Sequence, residues 1–497
     1  MGKDMRQNWR SRAWLVLLVL LLIRLAAMVF IPLNDTTEAR YAEIARKMLE
    51  TGDWVTLYQD YGVPFWAKPP LSIWLSAASM AMFGINGFAA RLPSLLLCLG
   101  VLALVAALAR RRTGPDGEMA AMLILGGSLQ FLVAAGAVMT DPALMFATTL
   151  SLVSFWRALE ASGRRWGYLF FVGLGLGLLA KGPLALVLAA MPIGLWVMLR
   201  GEWRACWKCL PWLSGTLLML VIALPWYALA ELRTPGFLDY FIMGEHVRRF
   251  LEPGWAGDRY GFSHATPLGM IWLYALSALL PWSVAMLFWL MRSRREVMAM
   301  WRQDADGWTL YLALWSVMPL AFFTVSRNII WPYSLPMLPA FALLAAGMWC
   351  RASHPGSGRA MPWLALTGGV AVLAATLVFA VRPDVIGASE KRLVEAWSRQ
   401  ADANSQLIYW HGGQIYSAEF YSAGRAHITQ DSGRLLSLLD NGSVDFIAVG
   451  REYLDILPPR IRENFAEAGR FDNPSGLMIL LRERSVPAAS QPTRVSP

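Results

Sequence analysis

The sequence predicts a polytopic α-helical membrane protein that carries a small α/β domain at its C-terminus. Three observations lead there. Hydrophobic residues make up 56% of the 497 positions against 16% charged, a balance far from that of a soluble enzyme. Apolar stretches about long enough to cross a bilayer as helices recur through the first 382 residues. Beyond residue 382 the pattern changes to short apolar runs between polar helical segments.

The first stretch, 13–33, follows Lys3, Arg6, Arg10 and Arg12 and reads as a retained anchor: it is longer than a secretory signal, and no small-residue cleavage site follows. Further stretches lie at 88–109, 118–137, 142–158, 166–180, 182–199, 207–230, 267–291, 308–325, 332–349 and 362–381. They predict a bundle of about 11–13 transmembrane helices. Between the first two spans, residues 36–50 place Tyr41, Ile44, Ala45, Met48 and Leu49 at helical spacing against Glu38, Arg40, Glu43, Arg46 and Lys47, the pattern of an amphipathic interfacial helix. Residues 53–70 are interrupted by Gly62, Pro64, Pro69 and Pro70 and predict a re-entrant or surface loop.

Charge sorts the loops. With the N-terminus in the cytoplasm, Arg110 to Arg112, Arg164 and Arg165, Arg200, Arg204 and Lys208, Arg292, Arg294 and Arg295, and Arg351 and Arg359 all fall on the inner side. The net charge of +10 is therefore a topology signal, and nucleic acid is not an expected partner. The outer side receives 34–87, the Thr140-Asp141-Pro142 turn, Lys181-Gly182-Pro183, the 231–266 loop, the Ser326-Arg327-Asn328 turn and everything past 382. Ionisable residues at span mouths are costly unless paired or solvated, so their gathering on one face marks a candidate site.

Residues 1–382 are thus read as the membrane domain, 383–485 as a periplasmic α/β domain and 486–497 as a disordered tail. In the α/β domain, strands are predicted at 407–410, 446–449 and 477–481, and helices at 414–422, 433–440 and 458–468. His411 and His427 fall in it and read as structural residues. Cys206 and Cys209 form a C-x-x-C with no second pair or nearby His, so no metal or redox site is read there.

Several motifs stand in order: an acidic pair ahead of RYAEIA, a K-P after an aromatic loop, an Asp-Pro turn, a Lys-Gly turn and an E-H-x-x-R-F stretch. From about residue 34 to about 350 they resemble the bacterial lipid A aminoarabinose transferases and the wider membrane glycosyltransferase family related to protein O-mannosyltransferases. The resemblance implies GT-C architecture, a polyprenyl-phosphate sugar donor, and an acceptor that is lipid A, another envelope glycolipid or a protein. It puts Asp141 at an acidic turn, Lys68 facing the carrier phosphate, Lys181 in the Lys-Gly turn, His246 in the E-H motif, and Tyr333 near the donor. Arg40 and Tyr41, in the RYAE stretch, join His246 and Tyr333 as candidates for holding the donor sugar or lipid.

Two departures stand out. Where the aminoarabinose transferases carry Asp-Glu before x-RYAE, this chain has Thr37-Glu38, with an Asp only at Asp35; either Asp35 or Glu38 then serves as the carboxylate. Ala67 replaces a Glu that in that subfamily joins the E-H histidine in holding a metal. Zinc wants three or four protein ligands. The cofactor is left unknown, with a divalent metal the only candidate, and the departures predict a relative with a different sugar or acceptor.

Sugar transfer from a lipid phosphate builds positive character at the anomeric carbon and negative charge on the departing phosphate. Lys68, Lys181, Arg248, Arg249 and Arg327 are the candidate phosphate ligands. Snorkelling at the membrane surface accounts for any one of them equally well. Asp35, Glu38 and Asp141 are the candidate catalytic carboxylates, with helix capping the rival explanation. A flippase and a non-catalytic scaffold are the readings of other classes. The first predicts charges at mid-membrane and an internal repeat, and neither is found in the sequence.

Overall fold

The computed structural model describes residues 3–160, 164–252, 254–261, 264–351, 357–382, 388–411, 413, 415–473 and 476–484, together with Gly163. The expected tail at 486–497 lies outside them. The chain divides into two compact units, one of residues 1–29 and 44–376, the other of residues 30–43 and 377–497.

The larger unit is the helical membrane bundle. Among the described residues, six helices are long and apolar enough to cross a membrane, and a bent pair makes a seventh. The other stretches read from the sequence are helical too, but shorter or more broken. The helix Gly87–Gly126 starts at Asn86, whose side chain accepts the Ala89 amide. Its 40 residues would reach about 60 Å, twice the apolar core. It breaks at Gly114, where φ is 74°. Across that break Arg110 meets Glu118 at 3.3 Å, although eight residues of continuous helix would separate them by about 12 Å.

The expected span 267–291 is instead two helices, Met270–Ala278 and Trp282–Arg292, bent by 94°. Pro281 between them has no N–H to give and disfavours helical geometry at Leu280. A helix absent from the expected set, Leu71–Phe83, follows Pro69 and Pro70; its 13 residues are too few to span. The broken segment before it folds as a small antiparallel ribbon, Tyr58–Asp60 against Val63–Pro64, which leads directly into Lys68.

Asp141–Leu159 and Arg164–Lys181 pack closely because Gly173 leaves no room for a side chain: a Cβ there would lie 2.3 Å from Ser151 Oγ. Ser151 also donates to the Phe170 carbonyl at 3.1 Å. The expected interfacial helix is present as Thr37–Thr51, yet it is not half-exposed: Glu43, Arg46 and Lys47 are as buried as Ile44 and Met48. Arg46 reaches Glu50 at 2.9 Å, and Lys47 donates to the Gln59 carbonyl at 2.9 Å.

The second unit contains a five-stranded mixed sheet: β1 (Leu407–Trp410), β2 (Ala426–Thr429), β3 (Phe446–Gly450), β4 (Phe465–Asn473) and β5 (Gly476–Glu483). Its order is β2-β1-β3-β5-β4, with β1 parallel to both neighbours and the last two pairings antiparallel. The apolar runs of β1 and β3 bury both faces: Leu407, Tyr409, Phe446 and Ala448 pack with Trp397, while Ile408, Trp410, Ile447 and Val449 pack with Leu435 and Ile461. The helix expected over 458–468 stops at Asn464, and the rest is β4. Pairing with β5 outweighs the helix preference of Ala466, Glu467 and Ala468. His411 stacks on Tyr453 at 5.3 Å, in keeping with a structural part.

Trp397 is fully buried in this core. Trp397→Ala should lower the unit's stability by about 3–5 kcal/mol, measured as an early thermal transition in tryptophan fluorescence.

Candidate functional site

Asp141 is the first residue of its helix and Lys181 the last residue of the next, antiparallel one. A carboxylate at a helix N-terminus and an ammonium at a C-terminus each complement the helix dipole. Their side chains meet at 2.5 Å, with each residue only 6% exposed. Lys181 Nζ also lies 4.4 Å from the centroid of the Tyr333 ring, a cation–π contact.

Gly182 closes the Arg164–Lys181 helix with φ 73°, and a Cβ there would lie 2.6 Å from Phe241 and 3.1 Å from His246 Nε2. The Lys-Gly motif is thus a matter of space as well as backbone. It lets the segment Asp239–Arg248, a π-helix, press against the turn. Stacking of Phe237 on Phe241 at 5.4 Å, within a cluster that includes Trp226 and Tyr227, fixes that segment.

The π-helix delivers Glu245 and His246. Glu245 is the hub of a second buried charge group: Lys68 reaches it at 2.9 Å, Arg249 binds it at 2.9 Å, and Arg249 also reaches Asp258 at 3.2 Å. Burial opposes its charge, but Lys68 and Arg249 prevail and hold the Glu245 carboxyl below its ordinary value. The same carboxylates push Arg249 up against the effect of its burial. Lys68, Lys181, Glu245, His246, Arg249, Asn328 and Tyr333 line one cavity of about 160 Å³, closed on its apolar side by Phe241, Phe250, Phe322 and Phe323.

Of the residues read from the sequence, Lys68, Lys181, Arg249, His246 and Tyr333 are therefore brought together. Asp141 stands behind Lys181 and is not among the lining residues. Arg248 and Arg327 are exposed and do not line the cavity; Asn328 lines it in place of Arg327. Sequence reasoning misses Glu245, although the E of the E-H motif points to it.

Asp35, Glu38, Arg40 and Tyr41 belong to the other unit. Glu38 accepts the Asn34 amide at 3.2 Å, a capping contact. Arg40 lies over the rings of Tyr41 at 5.6 Å and Tyr416 at 5.9 Å. Asp35 accepts the Ser417 amide at 3.0 Å and the Ser417 hydroxyl. Burial raises its carboxyl to about 6, with the Ser417 bonds pulling the other way.

Residues 11–241 match the model of the dolichyl-phosphate-mannose-protein mannosyltransferases. An undecaprenyl phosphate-alpha-4-amino-4-deoxy-L-arabinose arabinosyl transferase of Pseudomonas fluorescens is 31% identical over 401 residues, 77% of this chain and 69% of its own length. The chain belongs to this arabinosyl transferase family. Other members are 32% identical: one from Pseudomonas aeruginosa across 68% of this chain and 59% of its own length, and one from Edwardsiella ictaluri across 62% and 54%. The chain thus spans little more than half the length of these two. The crystal structure of ArnT from Cupriavidus metallidurans bound to undecaprenyl phosphate superposes with a TM-score of 0.78 at 19% identity, covering 96% of this chain and 99% of that one. An oligosaccharyltransferase of Archaeoglobus fulgidus gives 0.51 at 11% identity, over 89% and 70%. The fold of the family is therefore the GT-C membrane fold, as the motifs imply.

The metal implied by the aminoarabinose branch does not fit the residues present. Ala67 offers no ligand, and both ring nitrogens of His246 face backbone carbonyls, Nδ1 that of Phe241 at 2.7 Å and Nε2 that of Lys181 at 3.1 Å. Burial lowers the His246 pKa, with the Phe241 and Lys181 carbonyls pulling the other way. Among the described residues no three His, Cys, Asp or Glu side chains gather as a metal-binding group.

Two carboxylates give stability opposite pH dependences. Glu245→Gln removes the carboxylate shared by Lys68 and Arg249 and should cost about 3–5 kcal/mol in thermal unfolding in detergent at neutral pH. That contribution is present above the ordinary glutamate pKa and is lost as pH falls through the depressed one. Asp35 has the opposite sign: the fold favours its protonated form, a stabilisation complete below 3.8 and lost as pH rises through about 6. Melting temperatures measured across this range should show that fall in the wild type, and Asp35→Ala should lack it.

Proposed function

We propose that this chain transfers a sugar from a polyprenyl-phosphate carrier, of the undecaprenyl class for which its relatives are named, to lipid A or another envelope glycolipid. The reaction takes place on the periplasmic face of the bacterial inner membrane, with the N-terminus in the cytoplasm and residues 383–485 outside. The basic loops support that orientation. The observation that carries the reading is the convergence of Lys68, Lys181 and Arg249 with Tyr333 on one cavity, in a chain of this family.

In the reaction, the bond between the anomeric carbon and a phosphate oxygen breaks, and its electron pair stays with the phosphate. Cations fixed in place before the reaction stabilise that growing charge without reorganising, most strongly where water is excluded. Lys181 is paired with Asp141, and Arg249 with Glu245 and Asp258, so both are already oriented. Asp141 acts as a positioning residue for Lys181. An acceptor oxygen attacks the anomeric carbon from the face opposite the phosphate. A hydroxyl acceptor gives its proton to a carboxylate, for which Glu38 is the candidate; a phosphate acceptor is already ionised and only needs placing.

Mass spectrometry of lipid A, other envelope glycolipids and periplasmic proteins from cells with and without the gene should show one sugar mass missing from a lipid fraction in its absence. Loss from the protein fraction would instead name a protein acceptor, and no change in any fraction would overturn the reading. Complementation with Lys181→Ala should fail to restore the sugar, its rate falling by about 10²–10³, as for removal of one electrostatic stabiliser of a leaving group.

A further inference from the structure

Residues 30–43 group with residues 377–497 in one compact unit. Four hydrogen bonds tie the start of this segment down. The Leu33 amide donates to the Tyr421 hydroxyl at 2.8 Å, the Asp35 amide donates to the Ala388 carbonyl at 2.7 Å, and the Asp35 carboxylate takes both polar groups of Ser417. Ser417 is itself completely buried and sits in the first turn of the helix Tyr416–Tyr421, a few residues beyond the carboxyl end of the interior strand β1.

The chemistry of that serine is directional. A hydroxyl has one proton to give and two lone pairs. The Glu390 amide donates to Ser417 Oγ at 3.0 Å, which leaves the hydroxyl proton for Asp35 Oδ2. Oδ1 takes the Ser417 amide, so each carboxylate oxygen has a donor inside the same unit. The groups around the contact are equally fixed: Glu390 accepts from Tyr409 at 3.1 Å, and Tyr416 next to Ser417 faces Arg40. A general base must exchange a proton with its substrate. A carboxylate that takes a donor on each oxygen from one residue of its own unit is suited to holding a chain segment.

We propose that Ser417 is a positioning residue for the transfer reaction: acting through Asp35, it fixes the conformation of the segment that presents Glu38, Arg40 and Tyr41. The proposal rests on the glycosyl-transfer reading above. It assigns Asp35 a structural contact instead of proton transfer, and it gives the C-terminal unit a part in the activity.

The test uses the full-length protein in detergent or nanodiscs, with variants Ser417→Ala, Asp35→Ala, Asp35→Asn and the double alanine variant. Two quantities are read: the kcat and KM of sugar transfer as a function of pH, and amide hydrogen exchange of peptides covering 31–43. Asp35→Asn keeps an acceptor for the Ser417 amide and should stay within about tenfold of wild-type kcat, with an unchanged pH profile. Ser417→Ala and Asp35→Ala should each lose about 10²-fold in kcat, the scale set by small misplacement of reacting groups. Exchange across 33–41 should speed up at least tenfold in both, and the double variant should be no worse than either single one.

The proposal is overturned if Asp35→Asn is as inactive as Asp35→Ala, because the charge itself is then used, or if Ser417→Ala leaves exchange over 33–41 unchanged. A wild-type protein that transfers no sugar from any polyprenyl-phosphate donor would sink the functional reading alone. The exchange arm would still decide whether Ser417 holds the segment.

Discussion

A lysine and an aspartate inside an apolar helix bundle are tolerable only as a pair, and the contact between Lys181 and Asp141 constrains everything around the cavity. Removing either partner would leave an uncompensated buried charge, typically worth about 3–5 kcal/mol of destabilisation. To make the pair, the end of one helix must lie beside the start of the previous one, and the glycine at 173 lets the two come that close. The pair in turn fixes the Lys181 backbone, whose carbonyl faces His246, and the Lys181 ammonium, which faces Tyr333. Sequence, helix packing and cavity chemistry are linked here through a single ion pair.

The second charge group follows the same rule on irregular backbone. Glu245 and Arg249 stand four residues apart, the spacing at which oppositely charged side chains meet along a helix, and the local π-helix directs Glu245 toward Lys68 as well. Lys68 arrives from the far end of the small ribbon, so residues distant in sequence share one carboxylate. Aromatic packing of Phe237 and Phe241 carries the cost of the irregular segment.

Much of this was legible in the sequence, for physical reasons. Period and composition exposed the helical spans, and the near-continuous apolar runs at 407–410 and 446–449 exposed two buried parallel strands. Motif order found Lys68, Lys181, His246 and Tyr333. What stayed hidden was direction. A basic run such as Arg248-Arg249 does not say which guanidinium turns inward; here the second one does, because the irregular helix sets its angle. In the Arg327-Asn328 pair, likewise, the neutral residue faces the cavity. The bend at Pro281 and the fold of residues 465–473 into a strand depend on partners far away in the chain, which local pattern cannot display. Asp35 reads as an N-cap or a base from its neighbours alone; its bond to Ser417, 382 residues later, is invisible at that range.

The three cations that line the cavity touch three carboxylates: Lys68 and Arg249 share Glu245, Arg249 adds Asp258, and Lys181 holds Asp141. At rest the constellation is electroneutral. An arriving phosphate therefore meets no charge deficit and gains its contacts by exchange, taking over hydrogen-bond donors that already have partners. Recognition of that kind draws little on long-range attraction, so added salt, which screens charges over about 8–10 Å, should weaken binding here far less than at an open basic patch.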